Sequence, residues 1–487
     1  MNKQKKNIVI MVIEVLIAAM SISSYSLWTD EGIRLHAIVF GNLKEVVHYG
    51  LADKQLFFVL KQYLWTSLVG TSEIATRSLN LLFVWMIIYY LNKILRKRNI
   101  DPSYGLLLFI SPMFVYYMND AGPYIILLAY SLAFLYYVFF DDTFNSKRTI
   151  FIINLIFLLG VGTHFIFGFV YLMYLVKVIY EAYKKQLKFK QHFIMGLFFS
   201  PLYLTLLVFY MKAIESGASR GWEPPTVSNI LFVVYSFIGS AGLSLSRNEI
   251  RAGHFEDIHL HQLVLPGLLV ILTGILLWMA IKNRALILKT HALMLSGTLV
   301  YGVVFYLFSY KWHFHFWDRH FIMAYAVFMI LLIEVISQLS KKRVIKVIVS
   351  LISILFILSS LQLRFNPYYG KDNYKATIDY LLDSEKSVIL YQGDWKVSNY
   401  YGIEALNFED YQNKKSDKDT NGLYYVVDIR NKTAREIKEI ASNYSQDKII
   451  IAFNEKYDAK QAVKVYKKQK RYHQQSYNTF TIFEKNR

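Results

Sequence analysis

Two adjacent carboxylates, Asp30 and Glu31, follow directly on an apolar run that ends at Leu27. Acids at such a boundary have two uses. They can open a solvated loop, or fill the first turn of a helix beginning near Gly32, where negative charge meets the positive end of the helix dipole. They can also act as a general base where an amphiphilic substrate reaches the membrane surface. Two close like charges raise one of the pKa values, which suits a base working near neutrality. Arg34 stands four residues after Asp30, on the same side of a helix. Asp120 shortly precedes Pro123, a pattern that also fits a helix start. His164 interrupts an apolar run, either as a hydrogen-bonded structural residue or as part of a site. Arg319 adjoins Asp318 at the mouth of another run, where an ionisable group is costly unless paired. His259, His261, His313 and His315 lie in two short segments beside carboxylates and aromatics. Imidazoles with carboxylates can bind zinc, but none of these spacings is diagnostic. A divalent metal is a minor alternative, and the pattern calls for no cofactor.

The elements that must position these groups follow from composition. The 487 residues are 55% hydrophobic and only 18% charged, a balance soluble chains rarely sustain. The net charge of +19 does not point to nucleic acid, because much of it lies in short clusters between apolar runs. The sequence has no cysteine and so no disulfide framework or thiol metal site. Eleven apolar runs are expected to span a membrane. They are Ile8–Leu27, Ile74–Leu95, Tyr104–Tyr117, Tyr124–Phe140, Thr149–Val161, Phe165–Tyr180, Phe193–Tyr210, Leu263–Ile281, Ala292–Tyr310, Phe321–Leu339 and Val344–Leu361. The first resembles a signal peptide but is too long for one, and is read as a retained span. With the N-terminus cytoplasmic, the basic clusters fall on one side, as the positive-inside rule requires. The acid pair, Asp120, His164 and Arg319 then share the opposite face, and the C-terminus is extracytoplasmic.

Residues 28–73 form a first external loop with amphipathic surface helices, and 211–262 a second large one. Within the second, Asn229–Ser246 is read as a surface or re-entrant helix rather than a span. Residues 1–362 thus make an α-helical polytopic domain. Residues 363–487 change composition and alternate strand-like and helix-like patterns, predicting a small α/β domain. Strands are expected at 387–393, 423–430, 448–454 and 478–485, and helices at 375–384, 433–445 and 458–471.

Several short motifs fall in order. "WTDEGIRLHA" is followed by "HYGLADKQLFFVLKQYLW" and "VGTSEIATRSLN", then by "YYMNDAGPYIILLAY", "GVGTHFIFGFVYL", "GWEPPTVSNI" and "WDRHFIMAY". This order resembles the GT-C membrane glycosyltransferases, in particular the branch holding protein O-mannosyltransferases, lipid A aminoarabinose transferases and their bacterial relatives. The resemblance covers most of Ile8 to Leu361. Gly122 departs from it, standing where the bacterial relatives carry arginine.

The resemblance implies transfer of a sugar from a polyprenyl-phosphate donor to an extracytoplasmic glycan, lipid or protein acceptor, with inversion at the anomeric carbon. It assigns Asp30 as the base and Glu31 as the group that orients the acceptor or tunes Asp30. Asp120 becomes a second acid of the site. Lys54, in the Asp53–Lys54 pair, becomes the first cation for the lipid phosphate, with Arg319 the second and Arg34 a substitute for the missing arginine. His164 and Tyr124 join the substrate-binding set. A lipid-linked sugar flippase or a non-catalytic membrane scaffold are the rival readings. The internal repeat that many transporters carry is not found.

Overall fold

The structure, a computed structural model, describes residues 3–215, 224–246, 260–282, 289–339, 343–366, 369, 373–383, 387–392, 394–401, 425–429, 433–442, 448–454, 463, 466–467, 472–477 and 480–485. The helices run in order α1 (Lys3–Ser21), α2 (Thr29–Phe40), α3 (Leu43–Ala52), α4 (Leu56–Val69), α5 (Glu73–Lys97), α6 (Leu106–Phe109) and α7 (Pro112–Met118). They continue with α8 (Tyr124–Leu135), α9 (Lys147–Thr163), α10 (Tyr171–Tyr183), α11 (Phe189–Glu215), α12 (Val227–Phe237), α13 (Val264–Lys282) and α14 (Lys289–Trp312). The last are α15 (Ile322–Leu339), α16 (Arg343–Phe365), α17 (Tyr374–Asp383), α18 (Trp395–Tyr400) and α19 (Ala434–Ser442).

The chain divides into two compact units. One holds Met1–Ser23 and Leu43–Tyr369; the other holds Ser24–Asn42 and Gly370–Arg487.

The first unit is helical, and its helices make a multi-pass membrane protein. Among the described residues, seven helices are long and apolar enough to cross a bilayer. They correspond to seven of the eleven expected runs. Two more runs form helices, α8 with its π-helical extension Tyr136–Phe140 and α9, and the first run is helical only as far as Ser21, the end of α1, leaving residues 22–27 outside the helix. The run Tyr104–Tyr117 does not form one rod. Its helix stops at Phe109 and restarts at Pro112, because proline lacks the N–H that would continue α6 but suits the first position of α7. The stretch 229–246 falls on the 11-residue α12, which begins at Val227, and a short 3-10 turn at Ser240–Gly242. At about 1.5 Å per residue α12 is too short to span.

α5 packs against α8, α9 against α11, and α10 against α14. The start of α5 is capped by the Ser72 hydroxyl, which accepts the Ala75 N–H at 3.3 Å. At its other end Arg98 donates to Glu334 of α15 at 2.8 Å, and His291 of α14 meets the second Glu334 oxygen at 2.8 Å. A buried carboxylate thus ties three helices together.

The second unit is built on a five-stranded sheet: β1 (Ser387–Gln392), β2 (Tyr425–Asp428), β3 (Lys448–Asn454), β4 (Tyr472–Tyr477) and β5 (Phe480–Lys485), in the order β2-β1-β3-β5-β4. β1 pairs in parallel with β2 and β3, while β5 is antiparallel to β3 and β4. The four expected strands are present. β4 is an addition. Of the expected helix at 458–471, only 463 and 466–467 are described, and they are helical. α2 belongs to this unit. Its Ile33 packs on the cluster of Tyr374, Ile378, Ile389, Val397 and Ile450.

Candidate functional site

The acid pair lies in the second unit, at the start of α2. The Leu27 backbone N–H donates to the Tyr401 hydroxyl at 2.8 Å, and Ser26 Oγ accepts the Lys375 N–H at 3.0 Å. The Thr29 and Tyr374 hydroxyls are 3.3 Å apart. α2 lies against α18 so closely that a Cβ on Gly32 would come within 2.6 Å of Val397 Cγ1. Asp30 is half-buried on this anchored turn, whereas Glu31 is fully buried and accepts the Trp28 N–H at 3.1 Å. One Glu31 oxygen therefore holds the helix start, the ordinary structural use of an acid in a first turn. Arg34 is buried one turn along from Asp30.

The other expected residues lie in the first unit, where several converge. Lys54 ends α3 with φ 61°, a left-handed conformation that glycine or asparagine usually takes. The Asp53 N–H bonds Tyr49 O and the Gln55 N–H bonds Gly50 O, both at 2.8 Å, so the turn is closed around the lysine. The Lys54 side chain is buried, and that burial lowers its pKa, while neighbouring Asp53 raises it. The Lys54 carbonyl accepts the Phe165 N–H at 3.1 Å, which fixes the α3–α4 turn to the corner holding His164. The His164 ring ends α9, and its Nδ1 accepts the Ile166 N–H at 3.3 Å.

From His164 the site extends over aromatic faces. Its ring centroid is 6.4 Å from that of Tyr124 and 6.0 Å from that of His320. The Arg319 guanidinium lies 4.3 Å from the Trp317 ring centroid and 5.8 Å from that of Tyr124. Cation-π contact suits a buried arginine. A narrow cleft is lined by Tyr124, Ser131, His164, Tyr301, Arg319 and His320. The Ser131 hydroxyl is buried there without a hydrogen-bond partner among the described residues.

Asp120 is buried beside this cleft, and its backbone carbonyl accepts the Asn80 side chain of α5 at 2.8 Å. The neighbouring Asn119 takes the Ser23 N–H at 3.0 Å, and Arg77 donates to Ser23 O at 2.9 Å. The Gly122 departure has a steric account. A Cβ there would lie 2.6 Å from Asp120 Oδ1 and 3.0 Å from the Tyr124 ring, so carboxylate and phenol already occupy the space a side chain needs.

Lys54, His164, Tyr124, Asp120 and Arg319 are thus gathered in one unit, with Asp53 beside Lys54. Asp30, Glu31 and Arg34 are gathered in the other. Sequence reasoning passed over Lys61, Ser131 and His320, and noted Arg77 only as the arginine of the motif that opens the second span. Lys61 carries a signal, since it is a cation within an apolar helix. Ser131 and His320 carry none, because only tertiary packing turns them toward the cleft. Trp65, part of the motif order, is structural. Its Nε1 donates to Ala75 O at 2.9 Å and ties α4 to α5.

Among the described residues no group of three or more His, Asp or Glu could hold a metal. His259 and the side chain of His261 lie outside the described residues, as does Trp222 of the Trp-x-Pro-Pro motif. His315 contributes its carbonyl, which accepts from His320 Nδ1 at 2.8 Å.

No family model matches the sequence, and no curated protein matches it. Among solved structures the chain is similar to ArnT from Cupriavidus metallidurans bound to undecaprenyl phosphate. The TM-score is 0.52 and the identity 11%, over 98% of this chain and 97% of that one. At that identity the likeness concerns fold, and it runs through both units. The chain therefore has the GT-C fold, in the form that ArnT displays.

Proposed function

We propose that this protein transfers a sugar from a polyprenyl-phosphate donor to an acceptor outside the cytoplasm, and that Asp30 is the general base. The observation that carries the reading is the whole-length likeness to ArnT, a protein seen with undecaprenyl phosphate bound.

The acceptor hydroxyl attacks the anomeric carbon as Asp30 takes its proton. The new bond joins acceptor oxygen to that carbon. The bond from the carbon to the phosphate oxygen breaks, and the electron pair leaves with the lipid phosphate. Attack from the side opposite the phosphate inverts the anomeric configuration. Glu31 holds the turn that carries Asp30, through its bond to the Trp28 N–H. Lys54 and Arg319 neutralise the charge that develops on the phosphate. Arg34 supports them as a third cation, Asp120 and His164 hold sugar hydroxyls, and Tyr124 packs against the donor. Asp53 opposes the lowering of the Lys54 pKa that burial causes. The acceptor is a glycan, lipid or protein of the cell envelope. The N-terminus lies in the cytoplasm, and the acid pair and the C-terminal unit lie outside it.

The test uses purified protein in lipid, a panel of radiolabelled polyprenyl-phosphate sugars, and membrane extract as the acceptor source. Turnover by the wild type and its loss by about a hundredfold or more in a folded Asp30→Asn variant is the expected result. Equal turnover by both proteins would remove Asp30 as the base. Donor binding with no turnover of any sugar would favour transport over transfer.

A further inference from the structure

Lys61 lies on α4, a 14-residue helix outside the spanning set. Its Nζ donates to Thr163 Oγ1 at 2.8 Å and to the Tyr130 hydroxyl at 3.2 Å. It also lies 5.2 Å from the Tyr130 ring centroid and 5.7 Å from that of Phe83. These contacts come from α5, α8 and α9, and none is an anion. Tyr130 is the titratable group facing it, and among the described residues no carboxylate pairs with it. Burial by itself brings its pKa down to about 8. Near pH 7 the amine is then still about nine-tenths protonated. A charge held this way is costly unless something negative completes it. An ammonium has three donors, and two are used.

The place of Lys61 says what completes it. Thr163 directly precedes His164, and the next residue, Phe165, is bonded to the Lys54 carbonyl. Lys54 and Lys61, seven residues apart, thus grip the same corner from the two ends of one stretch. Tyr130 adjoins Ser131, which lines the cleft. We infer that Lys61 is a second phosphate-binding cation beside Lys54, taking the phosphate of the lipid-linked donor with its third N–H. This rests on the donor class argued above, and adds to it a residue to which the resemblance assigns no role.

The experiment is equilibrium binding of undecaprenyl phosphate to the full-length protein in nanodiscs, with undecaprenol and inorganic phosphate as comparison probes. Wild type, Lys61→Met and Lys61→Arg are titrated from pH 7 to pH 9.5. The inference expects Lys61→Met to bind about tenfold more weakly at pH 7, the loss of one charge-assisted hydrogen bond. It expects wild-type affinity to fall as pH passes about 8, while Lys61→Arg, which stays charged, falls less. Lys54 is common to both proteins, so the difference between them isolates Lys61. Binding of undecaprenol as tight as undecaprenyl phosphate would overturn the inference, as would wild-type affinity and pH profile in Lys61→Met. Inorganic phosphate competing at equal affinity would replace a lipid phosphate with a free one and overturn it too. A wild type that binds none of these probes would instead remove the donor reading on which it rests.

Discussion

Lys54 shows how residue-scale cost and use are opposed. Its backbone adopts a left-handed conformation that suits glycine at a helix end, and its amine is buried. A residue kept where its backbone and its charge both cost free energy points to a task. Replacing it with glycine separates the two effects. Lys54→Gly should raise stability by about 1 kcal/mol, because glycine takes this conformation without strain. The same variant should bind the lipid phosphate about tenfold more weakly, having lost a charge-assisted contact. Thermal unfolding and undecaprenyl phosphate titration on one preparation read both quantities. A variant that melts lower, or that binds unchanged, would remove the opposition. Gly122 is the reverse case, a residue whose absent side chain leaves room for the Asp120 carboxylate and the Tyr124 ring.

At the scale of elements, legibility followed hydrophobic contrast. The long spans and the apolar strands β1, β3 and β5 were plain, because burial on both faces leaves an unbroken apolar signature. β4 was not. It is an edge strand in which three of the four described side chains, His473, Gln474 and Ser476, are exposed and the fourth, Gln475, is half-buried, so it pairs through its backbone and carries no apolar alternation. The break between α6 and α7 was present as Pro112 but was overridden by the apolar run around it. The docking of α2 could not be read at all. Ser24–Asn42 and Val397 are more than 350 residues apart, and a glycine in an amphipathic helix announces no partner. Yet glycine weakens a helix interior, and here the cost is offset by close approach to Val397. Gly32→Ala should therefore push α2 off α18 and destabilise the unit by about 1–3 kcal/mol, although alanine is the better helix former. Turnover should fall with it, through kcat more than donor KM, because the displaced element carries the acids. Adding Val397→Ala should restore part of both. A Gly32→Ala protein with wild-type turnover would show that this contact does not set the position of Asp30.

On the scale of the whole molecule, the expected chemistry is divided between two units that the chain order interleaves. The proposed donor-holding groups Lys54, Lys61, His164 and Arg319 belong to the unit formed by Met1–Ser23 and Leu43–Tyr369. The proposed base belongs to the other, and its helix depends on C-terminal residues for its anchors. Tyr401 holds the Leu27 N–H, Lys375 holds Ser26, and Tyr374 meets Thr29. On the proposed reading, the C-terminal sheet supports the helix that carries the base. A chain ending at Tyr369 keeps Asp30 in its sequence but removes everything α2 packs on within its unit. A helix of 12 residues is marginal in water without such packing. The truncated protein should still insert in the membrane and bind undecaprenyl phosphate within a few-fold of the full chain, while sugar transfer falls by a hundredfold or more. Gel filtration in detergent and lipid-phosphate titration check the first half, and radiolabelled transfer checks the second. Full transfer by the truncated chain would show that the membrane unit alone positions the base, and the sheet would revert to a role in selecting acceptors.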